Sequence, residues 1–183
     1  MEAARIHEAI WSGRAPHNPE NLMPTIEKRI AALGLVLPAP IKLPPGVALP
    51  FQFVRIVGTR ALISGHGPQN TDGSIAEPLG KLGLNLTAEQ GYMAARLTGL
   101  SMLGSLQRAL GGLDRIARWG RVFGMVNSGP GFNGQPGVVN GFSDLILELF
   151  GPEVGAHSRS AVGMAELPFD IPVEIEAEVE LRA

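Results

Sequence analysis

The sequence predicts an α+β sandwich, a sheet with helices packed on one of its faces. Three observations carry that expectation. Residues 173–182, "VEIEAEVELR", alternate strictly, with Glu174, Glu176, Glu178 and Glu180 on one side and Val173, Ile175, Ala177, Val179 and Leu181 on the other. That is the pattern of an antiparallel strand with one wet face. Thr87 and Gln90 make a capping box that opens a helix running to about Leu110, where two glycines stop it. The order of elements is hairpin, long helix, strand, helix and two strands, without internal repeats.

Each element has a local reason. Glu2 to Trp11 carries apolar residues at helical spacing and reads as a short helix in an appendage, residues 1–23, that ends in the proline-broken "SGRAPHNPENLMP". The domain proper spans residues 24–183. It opens with "TIEKRIAALGLVLP", where Thr25 is an N-cap, Ile26, Ile30 and Leu33 form one stripe, and Gly34 stops the helix. "PAPIKLPPGVALP" has too many prolines for helix or central strand and is an extended connection. "FQFVRIVGTRALISG" is a hairpin about "GT", with Phe51, Phe53, Arg55 and Val57 on one face of its first strand. "HGPQNTDGSIAEPLGKLG" is a long surface loop. One face of the long helix is small (Gly91, Ala94, Ala95, Thr98, Gly99), which predicts close packing against the sheet. "DRIARWGRVFGMVNSG" supplies a strand through Ile116, Val122, Met125 and Val126 despite its arginines, and "PGFNGQPG" is a turn. "VVNGFSDLILELFG" is an amphipathic helix with Val138, Leu145 and Leu149 near one stripe, ended by Gly151. "SRSAVGMAEL", a turn at "PFDIP", and the alternating run complete the chain.

Composition excludes several functions. The 183 residues are 45% hydrophobic, enough for one domain with a real core. With 15 Lys+Arg against 17 Asp+Glu there is no global field to gather nucleic acid or an acidic membrane. The absence of cysteine removes disulfides, thiolate nucleophiles and cysteine metal sites, and His7, His17, His66 and His157 lack metal-ligand spacing, so no metal is expected. No stretch reads as a membrane span or signal peptide, which makes a cytoplasmic protein the expectation. "GPGFNGQPG" lacks the lysine of a phosphate loop and reads as a plain turn, and "ISGHG" and "NSGPG" lack the first glycine of a serine-hydrolase elbow. The arginines Arg108, Arg115, Arg118 and Arg121 have only Trp119 among them and read as a solvated face.

Arg159 is the anomaly, a lone guanidinium among small uncharged residues. Its five donors cannot be buried without acceptors. Either Glu174 or a neighbour pairs with it, or it awaits an anion. If "PFDIP" closes an antiparallel pair, Arg159 and Glu174 occupy neighbouring rows, and a structural salt bridge is the plain reading. Glu176, Glu178 and Glu180 read as a wet sheet face.

"ISGHGPQNTDG", "VVNGFSDLILELFG", "HSRSAVGMAELP" and "VEIEAEV" resemble, in order and spacing, the Rid/YjgF family of reactive-intermediate deaminases, in its longer branch opening with an "IEKRIAALGLVLP"-like helix. The resemblance covers about Thr25 to Ala183. It implies a chorismate-mutase-like fold with a mixed or antiparallel sheet and two helices on one face, a homotrimer, and a ligand cleft between subunits. It also implies cofactor-free hydrolysis of enamines and imines such as 2-aminoacrylate. Carried over by position, Arg159 looks like the carboxylate-binding arginine and Glu174 like the glutamate that holds the attacking water. Ser64, with Gly65, and Asn140 resemble further substrate-binding residues. Two positions depart: Phe51 stands where the deaminases place a tyrosine, and Ala161 where they place a cysteine. Those departures favour a rival, a non-catalytic trimer binding small carboxylate metabolites. In both readings the partners are a small carboxylate and two further copies of the chain, with neither nucleic acid nor membrane.

Overall fold

The computed structural model describes residues 25–43 and 45–182. The appendage helix expected over Glu2 to Trp11 and the segment after it lie outside them. The elements are α1 (Ile26–Ala32), β1 (Val54–Val57), β2 (Arg60–His66), α2 (Ala88–Leu110), β3 (Ile116–Asn127), α3 (Gln135–Gly155), β4 (Ser158–Met164) and β5 (Val173–Leu181). They follow the predicted order. Both capping expectations hold: the Thr25 hydroxyl accepts from the Lys28 amide, and Thr87 and Gln90 satisfy each other's backbone amides. Ile26 and Ile30 are buried, whereas Leu33, the C-cap of α1, is exposed. Regular geometry in α3 breaks at Gly151, whose φ of 73° only glycine adopts easily, and Pro152 follows.

The five strands run β1-β2-β5-β3-β4; β3 and β4 are parallel and every other pair is antiparallel. The last strand is therefore central, with β2 and β3 as neighbours. β4 is an edge strand whose only strand partner is β3. This corrects the expectation that "PFDIP" closes a hairpin between β4 and β5. The connection crosses the end of β3 instead. Buried Asn127 pins it there, donating its amide N–H to the Pro172 carbonyl (2.9 Å) and its side chain to Asp170 (3.1 Å).

One sheet face is covered. Ala61 and Ile63 of β2, Trp119, Val122 and Val126 of β3, and Val173, Ile175 and Val179 of β5 meet α2 and α3, which contribute Met102, Leu103, Leu106, Phe142, Leu145, Ile146 and Leu149. Each such side chain contributes about 1.5–3 kcal/mol by leaving water. The small face of α2 packs on α3, which corrects its expected packing against the sheet. A Cβ at Gly91 would sit 2.6 Å from Leu82 and 3.1 Å from Val138, and one at Gly99 would sit 2.8 Å from Leu145. The sheet meets α3 closely at Gly124, where a Cβ would lie 2.7 Å from Val139.

The other face is uncovered in the single chain. It carries an Arg60–Glu178 pair, an Arg118–Glu180 pair (2.9 Å), Arg121 over the Phe123 ring (5.6 Å), and exposed Leu62. Among the described residues no helix is long and apolar enough to cross a membrane.

Candidate functional site

β4 pairs with β3 so that Arg159 faces Val122, Ala161 faces Gly124 and Gly163 faces Val126. Those β3 residues belong to the buried face, so Arg159 and Ala161 point to the helix side. There the guanidinium reaches α3: Nη1 donates to Ser143 Oγ (2.8 Å), and Nη2 donates to the Pro136 carbonyl (2.9 Å) and Asn140 Oδ1 (2.6 Å). Every acceptor is neutral, and no carboxylate lies within salt-bridge distance among the described residues. Three of the five donors hold the plane of the group, and Nε with one Nη1 proton is left over.

Sequence reasoning places Asn140 in the site but misses Ser143 and His157. Ser143 lies one turn after Asn140 on α3, and His157 shares the face of Arg159 two residues earlier, so the periodicities could have found both. His157 Nδ1 is 2.7 Å from the Gly155 carbonyl and Nε2 is 2.9 Å from Ser143 Oγ. A carbonyl only accepts, so Nδ1 carries the proton and Nε2 accepts from the serine hydroxyl. Ser143 thus donates to His157 and accepts from Arg159. Burial holds the His157 imidazole below the ordinary histidine value; the Gly155 carbonyl works against this and the Arg159 charge adds to it.

Glu174 is on the opposite face. It pairs with Met125, one residue out of phase with buried Gly124 and Val126, and projects to the uncovered side. The β3 strand also separates β5 from β4, so no Arg159–Glu174 ion pair forms within the chain. The salt-bridge reading of that pair is corrected by this register. The Glu174 carboxyl makes no hydrogen bond or ion pair with any described residue, and burial, helped by the nearby Glu176 charge, raises it above the usual glutamate value. It lies against Gly65, where any Cβ would overlap Glu174 Oε1. A break in the β2–β5 register between Ile63 and His66 puts Ser64 and Gly65 there.

Ser64 fixes the entering chain. Its amide donates to the Phe53 carbonyl (3.0 Å) and its hydroxyl to the Gln52 carbonyl (2.9 Å). Phe51, half exposed, stands edge-on to Phe53 at 5.6 Å between ring centres. Phe51, Ser64, Arg55, Arg121, Glu176 and Glu178 line a groove of about 750 Å³ on the uncovered face. The predicted site residues therefore fall into two groups on opposite faces: Arg159, Asn140 and Ala161 at the β4–α3 edge, and Glu174, Gly65, Ser64 and Phe51 beside β2. No group of three described residues has the composition and proximity of a metal site.

Comparison with known proteins agrees with this architecture. Residues 27–173 match the family described as "YjgF/chorismate_mutase-like, putative endoribonuclease". A Trypanosoma cruzi protein, TCP17, is 46% identical over 144 residues, covering 78% of this chain and 89% of that protein. The structure of Atu1372 from Agrobacterium tumefaciens, described as of unknown function, is 37% identical with a TM-score of 0.76, covering 86% of this chain and 94% of that one. A Shewanella oneidensis structure described as a "putative endoribonuclease" is 33% identical with a TM-score of 0.77, covering 86% of this chain and all of that one. A fold with this sheet order, these two helices and this extent of similarity places the chain in the YjgF/chorismate mutase-like family.

Proposed function

We propose that the protein hydrolyses small carboxylate-bearing enamines and imines, such as 2-aminoacrylate, to the 2-oxo acid and ammonia, in clefts between three copies of the chain. The observation that carries the reading is the pair of unneutralised groups on opposite sheet faces: an arginine with only neutral acceptors and a carboxyl without a partner. Neither completes a site alone. A neighbouring copy docked on the uncovered face brings its Arg159 edge to Glu174, which also accounts for a sheet covered on one side only.

The chemistry needs little else. Arg159 holds the substrate carboxylate, and the enamine takes a proton on its terminal carbon to become an iminium whose carbon is electrophilic. Water held by Glu174 adds to that carbon as Glu174 takes one of its protons and passes it to the nitrogen; Glu174 then takes the remaining hydroxyl proton as the carbonyl forms and ammonia leaves, and that proton replaces the one taken up by the enamine. A carboxyl raised by desolvation is a better proton carrier for such two-way transfer than an ordinary glutamate. Phe51 and Ala161 support a second reading, a binding protein for small carboxylates, because they bring neither hydroxyl nor thiol. RNA cleavage is disfavoured by the groove itself, where Arg55 and Arg121 are balanced by Glu176 and Glu178.

The test is pyruvate formation from 2-aminoacrylate released in situ by a dehydratase acting on serine. The wild-type chain accelerates it, and Arg159→Ala abolishes the acceleration. A wild-type rate equal to the uncatalysed one overturns the hydrolase reading. Gain of rate in Phe51→Tyr would then identify the absent hydroxyl as the reason.

A further inference from the structure

We propose that Ser143 and His157 belong to the Arg159 site and make its hold on a carboxylate proton-coupled: when His157 takes up a proton, Ser143 turns its hydroxyl from the imidazole to the bound anion. This rests on Arg159 being the carboxylate anchor. Neutral His157 uses Nδ1–H on the Gly155 carbonyl, so Nε2 must accept and the only hydroxyl proton of Ser143 is committed to it. Ser143 Oγ then accepts from Arg159 Nη1 and has no donor left for a ligand. Protonation reverses the His157–Ser143 bond. Imidazolium donates from both nitrogens, Oγ accepts from His157 and Arg159 together, and the hydroxyl proton is free to point at whatever lies beside the guanidinium.

Charge works in the same direction. Without an anion, an imidazolium beside Arg159 is two like charges sharing one serine. A bound carboxylate turns that repulsion into attraction, so binding draws a proton onto His157 and affinity rises as pH falls through its range. The charged groups on the surrounding elements do not compete for this role. On α3, Asp144 accepts from the Tyr92 hydroxyl of α2 (2.9 Å) and Glu148 pairs with Arg96 of α2 (2.7 Å). Arg121, opposite Ser158, projects to the other sheet face, and Glu153 is exposed beyond the break in α3.

The same wiring occurs a second time in the fold and shows what distinguishes this copy. His66 has Nδ1 at 2.7 Å from the Ser64 carbonyl and Nε2 at 2.9 Å from Ser105 Oγ, which also accepts from Arg108 (3.1 Å). His66 is 4% exposed and burial drives its pKa to about 4, so that copy stays neutral and ties β2 to α2. His157 is only half-buried, at the sheet edge beside the anchor, and can titrate.

Calorimetric titration of the full chain with pyruvate, which stays ionised throughout, from pH 8 to pH 5.5 reads the coupling. Wild-type affinity should rise about tenfold over that interval, equivalent to about one pKa unit of linkage. His157→Asn should flatten the part of the dependence that Glu174→Gln leaves, Ser143→Ala should do the same and weaken binding, Glu174→Gln should remove only what the Glu174 carboxyl adds and retain a slope, and Arg159→Ala should bind at no pH. In parallel, the His157 imidazole followed by NMR should titrate at higher pH with pyruvate present than without. A slope unchanged in His157→Asn, a slope lost in Glu174→Gln, or a His157 titration unmoved by pyruvate overturns this inference and leaves the Arg159 anchor standing. Failure of the wild type to bind pyruvate at any pH overturns the anchor and the coupling together.

Discussion

A methyl group added at Gly65 would overlap the Glu174 carboxylate, yet the Gly65 backbone is not in the left-handed region, so alanine fits the chain itself. Gly65→Ala should accordingly push the carboxylate outward over the open face without unfolding β2. Hydrolysis should fall about a hundredfold or more, since misplacing a catalytic group by about an ångström has that effect, while the melting temperature hardly moves. Glu174→Gln makes the complementary case. The folded-state carboxyl is raised, so above its unfolded value ionisation opposes folding, and a neutral amide should melt no lower than wild type at pH 7. That advantage should vanish below the usual glutamate range, where both states are protonated. Arg159, Asn140, Ser64 and Glu174 were legible because they sit in recognisable motifs. Ser143 and His157 stand in the same stretches, at the helical and strand spacings that place them beside Asn140 and Arg159, but nothing local in the sequence ties a helix serine to a histidine before the next strand, so their pairing appears only in the fold.

Among the elements, β3 shows why strand-like character could be read without its phase. Besides Asn127 at its end, its buried residues fall at Ile116, Trp119, Val122, Gly124 and Val126, a spacing of three, three, two and two. Two shifts in its register with β5, between Ile116 and Arg118 and between Trp119 and Val122, absorb the extra residues. They keep Arg118 and Arg121 on the open face while Trp119 stays inside. The hydrophobic run of β5, with no such shift in its own alternation, was read correctly residue by residue. Its neighbours were not, because alternation fixes which face a side chain takes and says nothing about which strand lies beside it. The small stripe of α2 was likewise legible as a close-packing surface, but glycines on α3 and α2 decide that the partner is a helix. Gly141→Ala tests that contact, because its Cβ would overlap the Tyr92 carbonyl oxygen, a backbone atom that cannot rotate away. The variant should lose about 2–4 kcal/mol, read as a lower denaturant midpoint, with Arg159 ligand affinity falling as α3 shifts.

At the scale of the whole molecule, the sheet has one covered face and one bearing charge pairs, aromatic edges and half of a candidate site. The single chain cannot bring Arg159 to Glu174, and that separation is the reason the account requires a neighbour. The most direct test mixes two variants, Arg159→Ala and Glu174→Gln, each inactive alone. Unfolded together in equal amounts and refolded, they should form mixed assemblies in which one clef in four pairs an intact Arg159 from one chain with an intact Glu174 from the next, restoring about a quarter of the wild-type rate of pyruvate formation. Light scattering on the same sample should show three chains per particle. Mixed assemblies that form and stay inactive would contradict a site shared between copies.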